Sequence, residues 1–231
     1  LTETGIDATN QSTDTCTNNF ATLNPLEGGT NKPTLSEGNL KAVWSASSWG
    51  TSFSSIGASS GKWYCEVEFD SAGFTQIGIG ELGKAGGLGT SIIGDLGADL
   101  LSYTYYSNNG NFTRLEDGSS TNQSVSFGSS YTSGDIIGIY MDLDNGKLYF
   151  AKNGTLVSST GKDITLGGFY GFVFSLNSGT NIMNFGNPIT SISSGNTDGQ
   201  YGNFEYSTTI TGDGASKTFK ALCTKNLSEF G

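Results

Sequence analysis

Residues 134–157 read GDIIGIYMDLDNGKLYFAKNGTLV, and this stretch decides the fold. Asn145 with Gly146, and Asn153 with Gly154, each separate two runs of β-branched and aromatic residues. The Asn-Gly pair is typical of type I′ turns, in which both central residues need positive φ and whose twist matches that of paired strands. The stretch therefore predicts a three-stranded antiparallel meander.

A further strand is predicted over residues 61–70, GKWYCEVEFD. Successive side chains of a strand point to opposite faces of a sheet. The alternation places the apolar residues Trp63, Cys65, Val67 and Phe69 on one face and Tyr64, Glu66, Glu68 and Asp70 on the other. The sequence predicts that the first face enters the core and that the second is a solvated acidic face.

The composition indicates β-structure along the whole chain of 231 residues. Glycine is abundant (35 residues), proline is scarce (3 residues), and only 35% of the residues are hydrophobic. Glycine supplies the backbone angles that tight turns need, and no helix of more than two turns is predicted. We expect an all-β protein, an antiparallel β-sandwich over residues 39–189, with extended arms on both sides. The N-terminal arm, residues 1–38, includes a lead-in strand, and the C-terminal arm, residues 190–231, includes a closing strand.

Charge and residue types exclude several functions. Eleven Lys and Arg residues stand against 21 Asp and Glu residues, so the net charge is -10 and clustered cations that could neutralise a nucleic-acid backbone are not expected. Without histidine, His-based acid–base chemistry and His-containing metal sites are impossible. No apolar stretch reaches the roughly 20 residues of a membrane span. Cys16, Cys65 and Cys223 are expected to be buried thiols, although one disulfide with an orphan cysteine remains open.

Four short motifs, in order along the chain, resemble the SPRY (B30.2) domain. They are SGKWYCEV at residues 60–67, QIGIG at 76–80, GDIIG at 134–138 and DLDNGKLYF at 142–150. The resemblance covers roughly residues 39–186. It departs from the family at Cys65, where a Trp is frequent. It implies a sandwich that binds other molecules through its loops and carries no catalytic residues or cofactor.

The flanking segments, residues 18–26, 34–40 and 219–227, look like those that border SPRY modules in bacteriophage virion proteins. This resemblance implies a non-enzymatic structural protein located in the virion, in the tail, a fibre or a capsid-associated position. Its expected partners are other virion proteins, further copies of itself, and a host-surface glycan or protein. The arms are expected to make the main contacts between subunits.

A tyrosine-rich segment, YTYYSNNGNF at residues 103–112, is the predicted binding loop. Rigid aromatic rings beside adaptable amides are typical of recognition loops. The candidate binding residues are Tyr105, Tyr106, Asn108 and Asn109. A competing interpretation places Tyr103 and Tyr105 inside the core and leaves the others in a hairpin loop.

The alternative function is a carbohydrate-binding or glycan-cleaving sandwich. Glu66 and Glu68 would lie about 6.6 Å apart at about 3.3 Å per residue, near the carboxyl separation of about 5–5.5 Å in retaining glycosidases. Asp142, Asp144 and Asn145 suggest a calcium loop, but the spacing of its downstream glycine and glutamate is missing. A glycine-rich motif at residues 78–83 is followed by too many glycines for the helix that a dinucleotide site needs. We therefore predict no catalytic residue, metal ligand or cofactor.

Overall fold

The computed structural model describes residues 14–28, 31–70, 73–83, 101–115, 123–193, 196 and 200–231. The strands are β1 (Thr34–Ser36), β2 (Lys41–Trp44), β3 (Gly50–Phe53), β4 (Lys62–Asp70), β5 (Phe74–Glu81), β6 (Ser102–Tyr106), β7 (Asn111–Leu115), β8 (Gln123–Ser126), β9 (Ile136–Asp142), β10 (Lys147–Lys152), β11 (Thr155–Leu156), β12 (Lys162–Asp163), β13 (Tyr170–Asn177), β14 (Gly179–Asn184), β15 (Thr209–Gly212), β16 (Ala215–Thr218) and β17 (Lys220–Ala221). One helix, α1, spans Thr224–Phe230.

Two sheets, with antiparallel pairing between their long strands, pack face to face. The first has the strand order β1-β2-β14-β4-β9-β10-β11, with β12 also paired to β10 and β17 paired in parallel to β4. The second has the order β3-β13-β5-β6-β7-β8. Apolar side chains from both sheets, including Trp63, Phe69, Ile77 and Phe174, form the main core between them. The predicted β-sandwich is confirmed.

The predicted meander is confirmed as β9, β10 and β11, but its two turns differ. Lys152 pairs with Thr155, and Asn153 and Gly154 have φ of 48° and 78°, as a type I′ turn requires. The other connection has four residues, because Asp142 pairs with Lys147, and only Gly146 within it has positive φ. There the type I′ prediction is wrong: the Asn145 amide donates to the Asp142 carboxylate in a longer loop.

Residues 200–223, which we call the C-terminal cover, pack on the outer face of the first sheet. The outward rings Tyr64, Tyr140 and Tyr149 form a second apolar core with cover residues Phe204 and Phe219. Phe204 lies edge-on to Tyr64 at 4.8 Å between ring centroids, and β17 extends the first sheet beside the beginning of β4. The prediction of an extended C-terminal arm is therefore wrong for the cover, since its aromatic residues find a sheet face to bury.

The N-terminal segment is also joined to the body over its described part. Ala21 donates its backbone N–H to Leu222 at 2.9 Å, Leu23 bridges to Ser54, and both Ala21 and Leu23 are fully buried. An extended arm is thus wrong for residues 14–28, while the rest of the predicted arm before Asp14 lies outside the described residues. All three cysteines are free; Cys65 and Cys223 are buried, but Cys16 is exposed, contrary to prediction.

The helix α1 has seven residues, so the described chain holds no helix longer than about two turns, as predicted. Within the described ranges, no helix has the length and apolar character needed to cross a membrane.

Candidate functional site

The predicted binding loop connects β6 to β7 at one end of the sandwich. The Gly110 N–H donates to the Tyr106 carbonyl at 2.9 Å and closes the turn. Asn108 and Asn109 are exposed in this turn, and Tyr106 is half-buried beside it. The structure therefore brings these three predicted residues together at the surface, where a partner could reach them.

Tyr105, the fourth predicted residue, lies in the main core and not on this surface. Its ring is fully buried and packs against Phe127, Tyr131 and Phe150 at centroid distances of 5.0 to 5.6 Å. Its hydroxyl donates to the Ser129 carbonyl. Tyr105 points inward because it pairs with Ile77, whose side chain is in the core, and paired residues share a sheet face. The prediction that Tyr105 is a binding residue is therefore wrong, since its ring is inside the core.

Two further aromatic residues join Tyr106 in a row that we call the aromatic row: Trp49, Tyr106 and Phe74. The Tyr106 ring lies 5.9 Å from Trp49 and 6.2 Å from Phe74, with tilted and edge-on geometry. Phe74 is 41% exposed. Trp49 and Phe74 were not among the predicted residues, because they lie at the beginnings of two strands, β3 and β5, that are far from Tyr106 in sequence. The signal available was a large aromatic residue set among Ser and Gly, at residues 45–51 and 71–74.

A cavity of about 380 Å³ opens beside the aromatic row. Its lining comprises Phe69, Gly73, Phe74, Ser107, Asn108, Ser130, Tyr131, Thr132 and Ser133. The Tyr131 hydroxyl donates to the Tyr105 carbonyl at 2.9 Å. This hydrogen bond holds the Tyr131 side of the cavity against β6. The described lining residues offer hydroxyls, one amide and aromatic carbon but no cation. These groups suit a neutral polar or apolar surface with hydrogen-bonding edges.

The aromatic row and the C-terminal helix lie at opposite ends of the sandwich. Strand β4 runs from Lys62, beside Phe230 of α1, to Asp70, which accepts a hydrogen bond from the Ser133 hydroxyl next to the cavity. A nine-residue strand is about 30 Å long at about 3.3 Å per residue. The candidate binding surface is therefore about one strand length away from the C-terminal helix.

The predicted solvated acidic face of β4 is wrong for Glu66, whereas Glu68 is half-buried and Asp70 is exposed. Glu66 is 3% exposed because the C-terminal cover lies over it. Burial raises the pKa of this carboxyl, although hydrogen bonds from the Glu205 and Tyr206 N–H groups and from the Tyr64 and Asn184 side chains partly offset that rise. Each carboxylate oxygen accepts two of these bonds, at 2.8 to 3.0 Å. Neither oxygen is open to a substrate.

The Asp142 and Asp144 carboxylates bind side chains of the chain itself. Lys62 and Lys217 each approach the buried Asp142 carboxylate to 3.4 Å, and Lys62 also pairs with Asp144. Across the described ranges, no cluster of three or more Cys, Asp or Glu residues is arranged to hold a metal ion. The loop after the glycine-rich motif at residues 78–83 lies outside the described residues.

Comparisons with known proteins found SPRY domains. The crystal structure of the SPRY domain of human HERC1 superposes with a TM-score of 0.49 at 16% sequence identity, covering 70% of this chain and 96% of that domain. No curated protein matches the sequence. The family model of the SPRY domain matches residues 62–188, more than half of the chain. The chain therefore belongs to the SPRY domain family.

Proposed function

We propose that this chain is a non-catalytic recognition module that binds a protein partner through the aromatic row and the adjoining cavity. The observation that carries the proposal is the row itself: the ends of three strands distant in sequence place Trp49, Tyr106 and Phe74 side by side at the surface. Large apolar rings are normally withdrawn into the core, and this chain buries most of its Tyr and Phe residues there. Aromatic residues gathered at the surface are characteristic of interaction sites.

The chemistry of the surface favours a protein partner. Tyr and Trp dominate the energetically important positions of protein interfaces, because their rings bury a large area with few rotatable bonds. The neighbouring Asn108 amide can pair with the backbone of a partner, whereas no described residue of the cavity lining is a cation that could hold phosphate or carboxylate groups. SPRY domains typically mediate protein–protein interactions, which agrees with this chemistry.

We further propose that the module works in a bacteriophage virion, in a tail, fibre or capsid-associated position and in several copies. The support is the resemblance of residues 18–26, 34–40 and 219–227 to segments that border such modules in virion proteins. The separation of the C-terminal helix from the aromatic row fits this setting. One end would face the neighbouring subunits, and the other would remain free for a further virion protein or a host-surface molecule.

Two measurements test the proposal. Mass spectrometry of purified particles should detect the chain at a fixed copy number; its absence would refute the virion setting. Cross-linking of particles carrying Tyr106→Ser and Phe74→Ser together should lose one specific protein adduct that the unchanged chain forms.

The matched control is Phe169→Ser. Phe169 is 51% exposed and immediately precedes β13, at the opposite end of the second sheet, where Tyr170 pairs with Glu81. Its substitution should leave the adduct intact. An adduct that survives the double substitution, or that Phe169→Ser removes equally, would contradict binding through the aromatic row.

A further inference from the structure

A second surface, on the outer face of the first sheet, has the properties of a site for a cationic side chain. Its floor is a cross-strand row on three adjacent strands: Ile182 of β14 pairs with Glu68 of β4, and Glu68 pairs with Ile136 of β9. Directly paired residues share a face of the sheet. The floor is therefore a carboxylate between two branched apolar side chains.

Two walls turn this floor into a groove of about 310 Å³. One wall is the edge of the C-terminal cover at Glu205 and Tyr206; the other is formed by residues 189–193, which contribute two isoleucines. The two walls are joined by hydrogen bonds. The Glu205 carboxylate of the first wall accepts from the N–H of Ser193 in the second wall at 2.6 Å, and also from the Ser193 hydroxyl. The groove is thus shaped by contacts that do not involve Glu68.

Glu68 is the acidic group of the groove that remains available to a ligand. Glu66, two residues earlier on the same face, has both oxygens saturated beneath the cover, and Glu205 is engaged with Ser193. The half-buried Glu68 carboxylate forms no hydrogen bond or ion pair with any residue in the described ranges. A partly desolvated carboxylate gains most from a cation brought to it, because water screens the pair less there than on an open surface.

The charges around the groove favour a cation over any other ligand. Among the described residues, three carboxylates and no Lys or Arg line it. Lys41 of β2 pairs with Ile182 of β14 on the side away from Glu68. The Lys41 and Glu68 backbones are therefore two strand spacings apart, about 10 Å. No ion pair within 4 Å joins these two side chains in the described structure. Lys41 therefore reduces the negative potential without occupying the site.

We infer that this groove holds the side chain of a lysine or arginine presented by a partner protein. The aliphatic stem would lie on Ile182 and Ile136, and the charged group would pair with Glu68. Long cationic side chains combine an apolar stem with a charged end in this way. The site lies on the outer face of the first sheet and shares no lining residue with the cavity beside the aromatic row, so it does not depend on the function proposed for that row.

The test uses the full chain with isoleucine methyl groups labelled for NMR and three short peptides as probes. Acetyl-Gly-Lys-Gly-amide and its arginine equivalent should give saturable shifts of the Ile136 and Ile182 methyl signals, with a Kd of about 1–10 mM for one side chain. The tighter of the two identifies the preferred cation. The norleucine peptide, which keeps the aliphatic chain but lacks the ammonium group, should not saturate in this range.

Substitutions distinguish the contribution of the Glu68 charge to binding from that of the apolar groove. Glu68→Gln should weaken binding of the better peptide about tenfold, and Lys41→Met should strengthen it about twofold by removing the competing charge. Glu37→Gln, which removes one half-buried carboxylate in the β1–β2 turn, is the matched control and should change nothing. Tyr106→Ser should also leave this binding unchanged, so a failure here is distinguishable from a failure of the aromatic row.

Three results would overturn the inference. The first is equal binding of the norleucine peptide, which would mean a plain apolar groove. The second is equal weakening by Glu68→Gln and Glu37→Gln, which would mean a general effect of net charge. The third is the absence of shifts at the groove isoleucines at peptide concentrations of about ten times the expected Kd.

Discussion

Glu66 and Tyr206 are 140 positions apart in sequence, yet the Tyr206 N–H donates a 2.8 Å hydrogen bond to the Glu66 carboxylate. With the neighbouring Glu205 N–H, this contact fixes the C-terminal cover to the centre of the first sheet. We predict that Glu66→Gln lowers the free energy of unfolding by about 2 kcal/mol, because the amide nitrogen leaves at least one buried N–H without an acceptor. Urea unfolding of the two proteins measures the difference.

The control is Glu68→Gln, on the same face of the same strand. Because its carboxylate has no partner among the described residues, the substitution should change the stability by no more than about 0.5 kcal/mol. Equal effects of the two substitutions would show that the hydrogen bonds to Glu66 contribute little.

The stability that Glu66 confers should depend on pH. Burial raises its pKa above the ordinary value of 4.5, with the hydrogen bonds opposing the rise. Between these two pKa values the folded chain holds a proton that the unfolded chain has lost, so stability falls as pH rises through this window. Glu66→Gln has no carboxyl to titrate here, so the stability advantage of the unchanged protein over the variant should shrink as pH rises above about 4.5 through this window. A difference that grows with pH would contradict the raised pKa.

Two glycines with positive φ should respond differently to alanine. Gly134 (φ 86°) has nothing within 4 Å of the position of an added Cβ, so Gly134→Ala should cost only the backbone strain, about 1 kcal/mol. Gly154 (φ 78°) would bring that atom to 2.5 Å from the Tyr206 ring. Gly154→Ala should therefore destabilise the protein by about 1–3 kcal/mol more in urea unfolding. Equal losses would mean that the Tyr206 ring moves aside freely.

The adjacent residues Tyr105 and Tyr106 provide a test of the corrected binding surface. Tyr105→Ala removes a fully buried ring and should lower stability by about 3–5 kcal/mol. Tyr106→Ala removes a half-buried ring at the surface and should cost about 1 kcal/mol or less. Thermal unfolding followed by circular dichroism distinguishes them, and a reversal of this order would refute the assignment of the two faces of β6.

Local sequence patterns predicted the sandwich because strand alternation and turn chemistry act over a few residues. The inward face of β4, from Trp63 to Phe69, follows directly from its period of two. The same alternation could not reveal what covers Glu66, since the cover comes from residues about 140 positions later. Likewise, the local sequence predicted Asn108 and Tyr106 as binding residues. Trp49 and Phe74 join them only when the second sheet is assembled.

The C-terminal cover also decides how this domain can be divided. A fragment limited to residues 62–188, where the family model matches, would lack the edge strands β1, β2 and β3 and would bare the outward rings of Tyr64, Tyr140 and Tyr149. Such a contiguous aromatic patch promotes self-association. It would also leave the Glu66 carboxylate without its two backbone donors. Recombinant fragments should therefore extend past Cys223, and aggregation of shorter ones would reflect a missing part of the fold and not an intrinsic tendency of the sandwich to assemble.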